Sequence, residues 1–187
     1  SKDRLLIFTD LGRVYGLKAW EIPQGSRHSR GTHIRNLLEN LQDDENIVSI
    51  LPISKELVDD VTERCLKVKL EEGEKRPPSG YFLLFATKLG LIKKTDLHEY
   101  VRINRNGKYA LRFKLENDSL VNVQQSVDSD DVVMISTTGY ASRFKCDAIR
   151  TSGRVSGGVY GIKVAERKGS GGGFVAGMLA MSDYDSQ

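Results

Sequence analysis

The sequence predicts an all-β chain made of about three propeller-like, four-stranded units arranged as a partial ring or open arc. Three observations carry this. A hairpin frame recurs three times, an arginine stands fifteen residues after each hairpin glycine, and the net charge alternates in step with the repeat.

The frame spans residues 4–15, 81–93 and 131–143, each an apolar run, a Thr-containing turn closed by Gly, and a second run. The runs are rich in β-branched and aromatic residues, and Gly12, Gly90 and Gly139 stand where a tight hairpin needs a positive φ. Third strands are predicted at Ile34–Leu38, Ala110–Leu115 and Val159–Val164, each with basic residues inside an apolar stretch. Fourth strands are predicted at Ile47–Leu51, Leu120–Val123 and Phe174–Leu179. The glycines lie 78 and 49 residues apart, so the period is about fifty and the first unit carries an insertion of nearly thirty. The units are thus about 1–54, 81–127 and 128–182, in one repeat domain, with a charged insertion at about 55–80. Its Pro77-Pro78 pair and the alternating Cys65–Leu70 piece predict a protruding hairpin or mobile loop, an arm or a tolerated surface insertion.

Composition bounds the function. With 39% hydrophobic residues in 187, the chain has the apolar content of a folded protein. Its longest apolar runs, such as Tyr81–Ala86, are of strand length, far short of the ~20 residues a bilayer demands, and no secretory-signal pattern opens it. A cytoplasmic setting follows, with Cys65 and Cys146 as reduced thiols, 81 residues apart. His28, His33 and His98 form no ligand cluster, so no metal is expected. Gly169–Gly173 lacks the Lys and Ser/Thr ending of a phosphate-binding loop and reads as a strand connection. The pairs Asp43-Asp44, Asp59-Asp60 and Asp130-Asp131 read as turn residues, and no nucleophile elbow is present. No catalytic residue and no cofactor are expected in this chain.

Charge placement is the informative feature. Segments 1–35, 36–80, 81–115, 116–135, 136–168 and 169–187 carry net charges of +4, −5, +6, −5, +5 and −2. The hairpin-to-third-strand part of every unit is therefore basic and its fourth strand and connection acidic. Radial repetition would set the basic parts along one track suited to a polyanion such as duplex DNA, with little sequence preference. The candidate contacts are Arg13, Lys18, Arg27, Arg30 and Arg35 in the first unit. They continue as Lys88, Lys93, Lys94, Arg105, Lys108 and Arg112 in the second, and Arg143, Lys145, Arg150, Arg154 and Lys163 in the third. Arg27, Arg105 and Arg154 hold the repeated position. Tyr15, Trp20, Tyr100, Tyr109 and Tyr160 lie near these segments, either as core or as stacking partners for unpaired bases. The rival reading is a propeller-type interaction module with an acidic protein partner.

Thr9–Pro23 with Ser26–Gly31 and Ile34–Leu38 resembles one blade of the C-terminal domain found in the A subunit of DNA gyrase. Ala86–Tyr100 is similar to the next blade, and Gly139–Arg150 with Gly158–Lys163 to the one after. The resemblance implies a β-pinwheel, a ring of four-stranded blades whose basic rim bends and wraps duplex DNA. It implies no catalysis in this chain: the catalytic tyrosine, the ATP site and the magnesium site lie elsewhere in the type II topoisomerase holoenzyme. The partners it implies are the B subunit together with the rest of the A subunit; the setting is the bacterial nucleoid or an organelle. Two departures stand out. Gln24–Gly31 only faintly echoes the Gln-Arg-Arg-Gly-Gly-Lys-Gly box of gyrase, which leaves the related topoisomerase IV type open, and about three blades are present where the gyrase family has about six.

Overall fold

Each recurring apolar run forms a strand and each of the three glycines turns it back. The computed structural model describes residues 3–164 and 172–182. The three hairpins are β1 (Arg4–Thr9) with β2 (Arg13–Lys18), β4 (Phe82–Thr87) with β5 (Leu91–Asp96), and β8 (Asp131–Ser136) with β9 (Ala141–Lys145). Fourth-strand expectations hold as β3 (Ile47–Ile53), β7 (Leu120–Ser126) and β11 (Val175–Met181); two short strands, β6 (Lys108–Tyr109) and β10 (Val159–Tyr160), complete the set. In each turn the glycine N–H donates to the residue three before it: Gly12 to Thr9 O at 3.0 Å, Gly90 to Thr87 O at 3.1 Å, Gly139 to Ser136 O at 3.0 Å. Their φ values of 73°, 95° and 85° lie in the left-handed region that glycine enters without a Cβ penalty.

The sheets run β3-β1-β2-β6, β10-β5-β4-β7 and β11-β8-β9, all pairs antiparallel. The third-strand expectation is corrected here. β6 leaves the second unit to pair with β2 of the first, Arg13 facing Tyr109, and β10 leaves the third unit to pair with β5 of the second, Val159 facing Ile92. β6 ends before the expected Ala110–Leu115, which forms no strand, and β10 covers only the first two residues of Val159–Val164. Gly12 O accepts from Ala110 N at 2.8 Å and Gly90 O from Gly161 N at 3.0 Å, which carries the chain past the hairpin and ends the ladder after two residues. Ile34–Leu38 is no strand either. Ile34–Asn36 form a 3-10 turn, and Ile34, Leu37 and Leu38 pack on Ile7, Tyr15 and Leu17.

β3, β7 and β11 lie innermost. Ser49 Oγ donates to Val123 O at 3.0 Å, and Asn122 Nδ2 to Met178 O at 2.9 Å, linking successive inner strands. A second link repeats at the hairpin tips, where Leu120 N donates to Asp10 O and Val175 N to Lys88 O, both at 2.9 Å. Apolar side chains fill each seam between sheets. Phe8, Phe85 and Tyr100 form the aromatic centre of the first, with ring centroids 5.6–6.3 Å apart. Leu84, Ile92, Val132, Met134, Cys146 and Met178 fill the second.

The insertion is not a hairpin: its first half is helical, and residues 67–80 follow as an irregular, largely exposed loop. Ser54 caps α1 (Lys55–Val61), its Oγ accepting from Leu57 N at 3.1 Å, and one π-helical turn, Thr62–Leu66, follows. Leu57, Val61 and Cys65 recur every fourth residue, a helical spacing, and Val61 and Cys65 are fully buried in the first seam. The alternation over Cys65–Leu70 misled because Cys65 belongs to the helical stripe, while Val68 and Leu70 stay exposed. Lys55–Asp59, Asp60–Arg64 and Glu63–Lys67 pair at i,i+4 on the solvent side. Both cysteines are free and buried, and burial raises their thiol pKa.

The seams make a turn glycine's value depend on its neighbours. A Cβ at Gly90 would lie 2.1 Å from Ile162 O, whereas one at Gly139 meets open space. Gly90→Ala is expected to lose about 2 kcal/mol or more, and Gly139→Ala only the left-handed strain of about 1 kcal/mol, measured by urea denaturation.

Candidate nucleic-acid interface

The strand exchange decides where each cation ends. Arg27, Arg105 and Arg154 precede or would precede an outer strand, in the loop that follows the 3-10 turn after each hairpin (Ala19–Glu21, Leu97–Glu99, Cys146–Ala148). Arg27 and Arg105 are exposed, the latter with Nη2 3.9 Å from Glu21 Oε1. Arg154 is half-buried: its Nη1 donates to Tyr109 O, and its own carbonyl accepts from Lys93 Nζ. The repeated arginine is thus a rim residue twice and a seam residue once.

Lys93 and Lys94 leave the candidate set. Both sit on β5, only 2% and 3% exposed, because β10 and the 149–158 segment cover that strand. Lys93 Nζ donates to Ala110 O and Arg154 O and lies 3.4 Å from Tyr100 Oη, with no ion pair to a carboxylate among the described residues. Lys94 Nζ pairs with Asp128, bonds Cys146 O at 3.2 Å and lies 4.2 Å from the Phe82 ring centroid.

Arg13 and Arg35 are committed internally. Glu45 is buried and accepts from Arg13 Nη1 at 3.2 Å, Tyr15 Oη at 3.0 Å, Gln42 N at 3.1 Å and Thr9 Oγ1. Burial, and then this carboxylate, push the Tyr15 hydroxyl well above the usual tyrosine range. Arg35 pairs with Asp43 and also donates to Gln42 O and Asp43 O. Arg143 and Lys145 share Asp131, at 2.6 and 3.5 Å, yet both remain exposed. Lys88 is half-buried with Nζ 4.1 Å from the Phe174 ring centroid, and Lys18 is exposed 5.4 Å from that of Trp20. Arg30, Lys108, Arg112, Arg150 and Lys163 are exposed, and together with Arg27 they form no ion pair among the described residues.

The aromatics divide sharply. Tyr15 and Tyr100 are fully buried core, while Trp20, Tyr109 and Tyr160 are 63%, 61% and 62% exposed on the outer side. Sequence reasoning passed over Arg4, which lines a polar cleft of about 430 Å³ with Lys18, Asn104, Arg105, Glu21 and Glu39. Its position at the start of an apolar run gave no signal of that. Lys114, also passed over, lays its stem across Gly157 and donates to Gly158 O at 2.6 Å. Exposed cations on the outer side can neutralise phosphates, and the exposed rings can stack. Of the glycine run, residues 169–171 lie outside the described residues. Among those described, no His, Cys, Asp and Glu group has metal-holding geometry, and no helix is long and apolar enough to cross a membrane.

The family model described as the DNA gyrase C-terminal domain, beta-propeller, matches residues 3–54, 81–126 and 130–170 and passes over the insertion. Among curated proteins, the DNA gyrase A subunit of Deinococcus deserti is 38% identical over 166 residues, 89% of this chain and 18% of that protein. The DNA gyrase A subunit of Staphylococcus epidermidis is 35% identical over 166 residues, covering 89% and 16%. The chain thus spans less than a fifth of the length of these relatives. The solved C-terminal domain of DNA topoisomerase IV superposes with a TM-score of 0.72 at 22% identity, covering 98% of this chain and 49% of the other. A DNA gyrase A C-terminal domain gives 0.67 at 23%, covering 96% and 48%. These two likenesses establish the β-pinwheel fold.

Lys93 gives the second seam a measurable signature. Burial, then the positive charge of Arg154, lower its ammonium pKa from 10.5 to about 7, against a smaller opposing pull from Glu99. Between those values the unfolded chain holds a proton that the folded chain has lost, so stability rises with pH across the window, by up to about 1.4 kcal/mol per pH unit. Between pH 7.5 and 9, wild type is expected to gain roughly 1–2 kcal/mol more than Lys93→Met in urea denaturation.

Proposed function

This chain belongs to the DNA gyrase C-terminal β-propeller family, and from that premise we propose that it binds and bends duplex DNA along its outer side, without catalysis or a cofactor of its own. One observation carries this reading. Exposed cations recur on the outer loops and strands of successive units, as Lys18, Arg27 and Arg30, then Arg105, Lys108 and Arg112, then Arg150 and Lys163. Several of the acidic side chains are meanwhile taken up inside, Glu45 by Arg13 and Tyr15, and Asp130 by Ser126 and Val127. Exposed positive charge is thereby available to a polyanion on each of the three units.

Phosphates crossing these loops release counterions as each is neutralised, and contacts to successive units offset a bending cost of a few kcal/mol. Base edges play little part in this reading, because α1 and its π-helical turn hold Lys55, Arg64 and Lys67 in pairs with their own acids, Asp59, Asp60 and Glu63. In a longer topoisomerase chain the bent duplex would be handed to a catalytic core, with ATP and magnesium held there and in the B subunit. The setting that fits this role is cytoplasmic and nucleoid-associated.

With about six phosphates neutralised, log K against log salt should fall with a slope of about −5. Affinity should rise with duplex length until the outer track is filled. Arg27→Glu with Arg105→Glu is expected to weaken binding at least tenfold in a gel shift, without loss of folding, because both side chains are exposed. A flat salt response with no length dependence would favour a protein-interaction module.

A further inference from the structure

Three units converge on an apolar pocket that backbone binding to a duplex leaves unused. Its walls are Leu11 from the first hairpin tip, Tyr109, Leu111, Arg112 and Phe113 from the second unit, and Val155 from the third, enclosing about 430 Å³. That is within the ~300–1,000 Å³ of small-ligand sites. The floor is rigid, since Leu111 is buried and, with Phe113, packs against Gly12, where even a Cβ would lie 3.0 Å from Leu111 Cδ2. The mouth is open, with Leu11, Val155 and Tyr109 36%, 49% and 61% exposed. Tyr109 is held at its backbone, its carbonyl accepting from Arg154 Nη1 while β6 pairs with β2.

Charge indicates the occupant. Arg112 forms part of the wall, Lys108 precedes Tyr109 on the outer strand, and Arg154 anchors it from the next unit. An apolar, aromatic-walled cavity with Arg112 in its wall and Lys108 and Arg154 on neighbouring residues suits a ligand that is flat and apolar at one end and anionic beside it. A duplex hides its bases in the stack and offers only phosphates here, whereas an unpaired strand offers both. We propose that this pocket binds an unpaired nucleobase of single-stranded DNA, stacked on Tyr109 with its flanking phosphates on Arg112 and Lys108. Tyr160 repeats the exposed outer-strand tyrosine on β10, opposite Leu91, but is not part of this pocket's wall. The chain then has a single-strand-binding activity besides duplex binding. It draws on the same exposed positive charge for its phosphate contacts, and on the pocket alone for its base contact.

Anisotropy with a labelled twenty-nucleotide thymidine strand and a matching abasic strand, at one salt concentration, isolates the base contact. The thymidine strand is expected to bind about tenfold more tightly, about 1.4 kcal/mol, within the ~1–3 kcal/mol range of one stacked base. Tyr109→Ala should bring that ratio below about twofold and Tyr109→Phe should keep it, both with unchanged melting temperature. Arg27→Glu should weaken both strands and the duplex while leaving the ratio intact. Equal binding of the two strands by wild type, no single-strand binding, or a ratio that survives Tyr109→Ala overturns the proposal. So does a glutamate–tyrosine copolymer that binds through Tyr109 while the strand ratio stays near one, which would give the pocket to an acidic protein. Loss of duplex binding in wild type counts against the duplex reading, whereas the strand ratio judges the pocket.

Discussion

A strand that leaves its own unit to complete the sheet of the unit before it is the constraint on which the other features rest. β6 and β10 are only two residues long, so their ladder bonds alone would not hold a unit in place. What makes the exchange firm is its anchoring on a glycine carbonyl at the neighbouring hairpin tip, Gly12 O for Ala110 and Gly90 O for Gly161, and the close approach at Gly90 that leaves no room for a Cβ. Donated backbone bonds at the outer edge, tip-to-inner-strand bonds such as Val175 N to Lys88 O, and the apolar filling between them make each seam a three-point attachment. No unit is a separate piece of protein; each shares backbone with its neighbour.

This sharing explains both what was legible in the sequence and what was not. The hairpins and inner strands were legible because their pattern is local: a β-branched run, a hydroxyl residue, a glycine three later. The outer strands were overdrawn because their pairing partner lies 96 residues away for Tyr109 and Arg13 and 67 for Val159 and Ile92, beyond any periodicity signal. Ile34–Leu38 looks like Ala110–Leu115 in composition, but lacks a preceding sheet among the described residues and folds onto Ile7 and Leu17 instead. The insertion failed for a different reason. Its helical stripe of Leu57, Val61 and Cys65 overlaps an accidental alternation, and the stripe dominates because it alone meets a core.

The candidate contacts were legible as a field and not as a set of residues. Net charge by segment places the cations in the outer part of every unit, and most of the chosen side chains are exposed. Lys93 and Lys94 read like their neighbours, a pair of basic residues on a hairpin strand, and tertiary packing buries them, Lys93 against Phe85, Tyr100, Ala110 and Arg154, Lys94 against Phe82, Asp128 and Cys146. Conversely, Tyr109 and Tyr160 had the composition of core aromatics and are exposed because an outermost strand has a solvent side. In each case the tertiary surroundings decided the role.

Burying a lysine without a carboxylate is costly, and here the cost has a structural use. Lys93 spans Ala110 of the second unit and Arg154 of the third, and Arg154 reaches back to Tyr109, so two cations stitch three segments together at the point where an outer strand is donated. Burial first, and then the charge of Arg154, lower the Lys93 pKa toward neutrality, which relieves the repulsion between them as the ammonium gives up its proton. A carboxylate in place of one of them would quiet the seam but would also cancel positive charge directly beneath the outer loops. Meeting the hydrogen bonds of Lys93 and Arg154 with backbone carbonyls holds the seam without placing a negative charge there, and Lys93 carries less of its positive charge as the pH rises above about 7. Lys114 repeats the carbonyl solution at Gly158 O, whereas Lys94 pairs with the Asp128 carboxylate while bonding Cys146 O, so buried cations are held here in both ways.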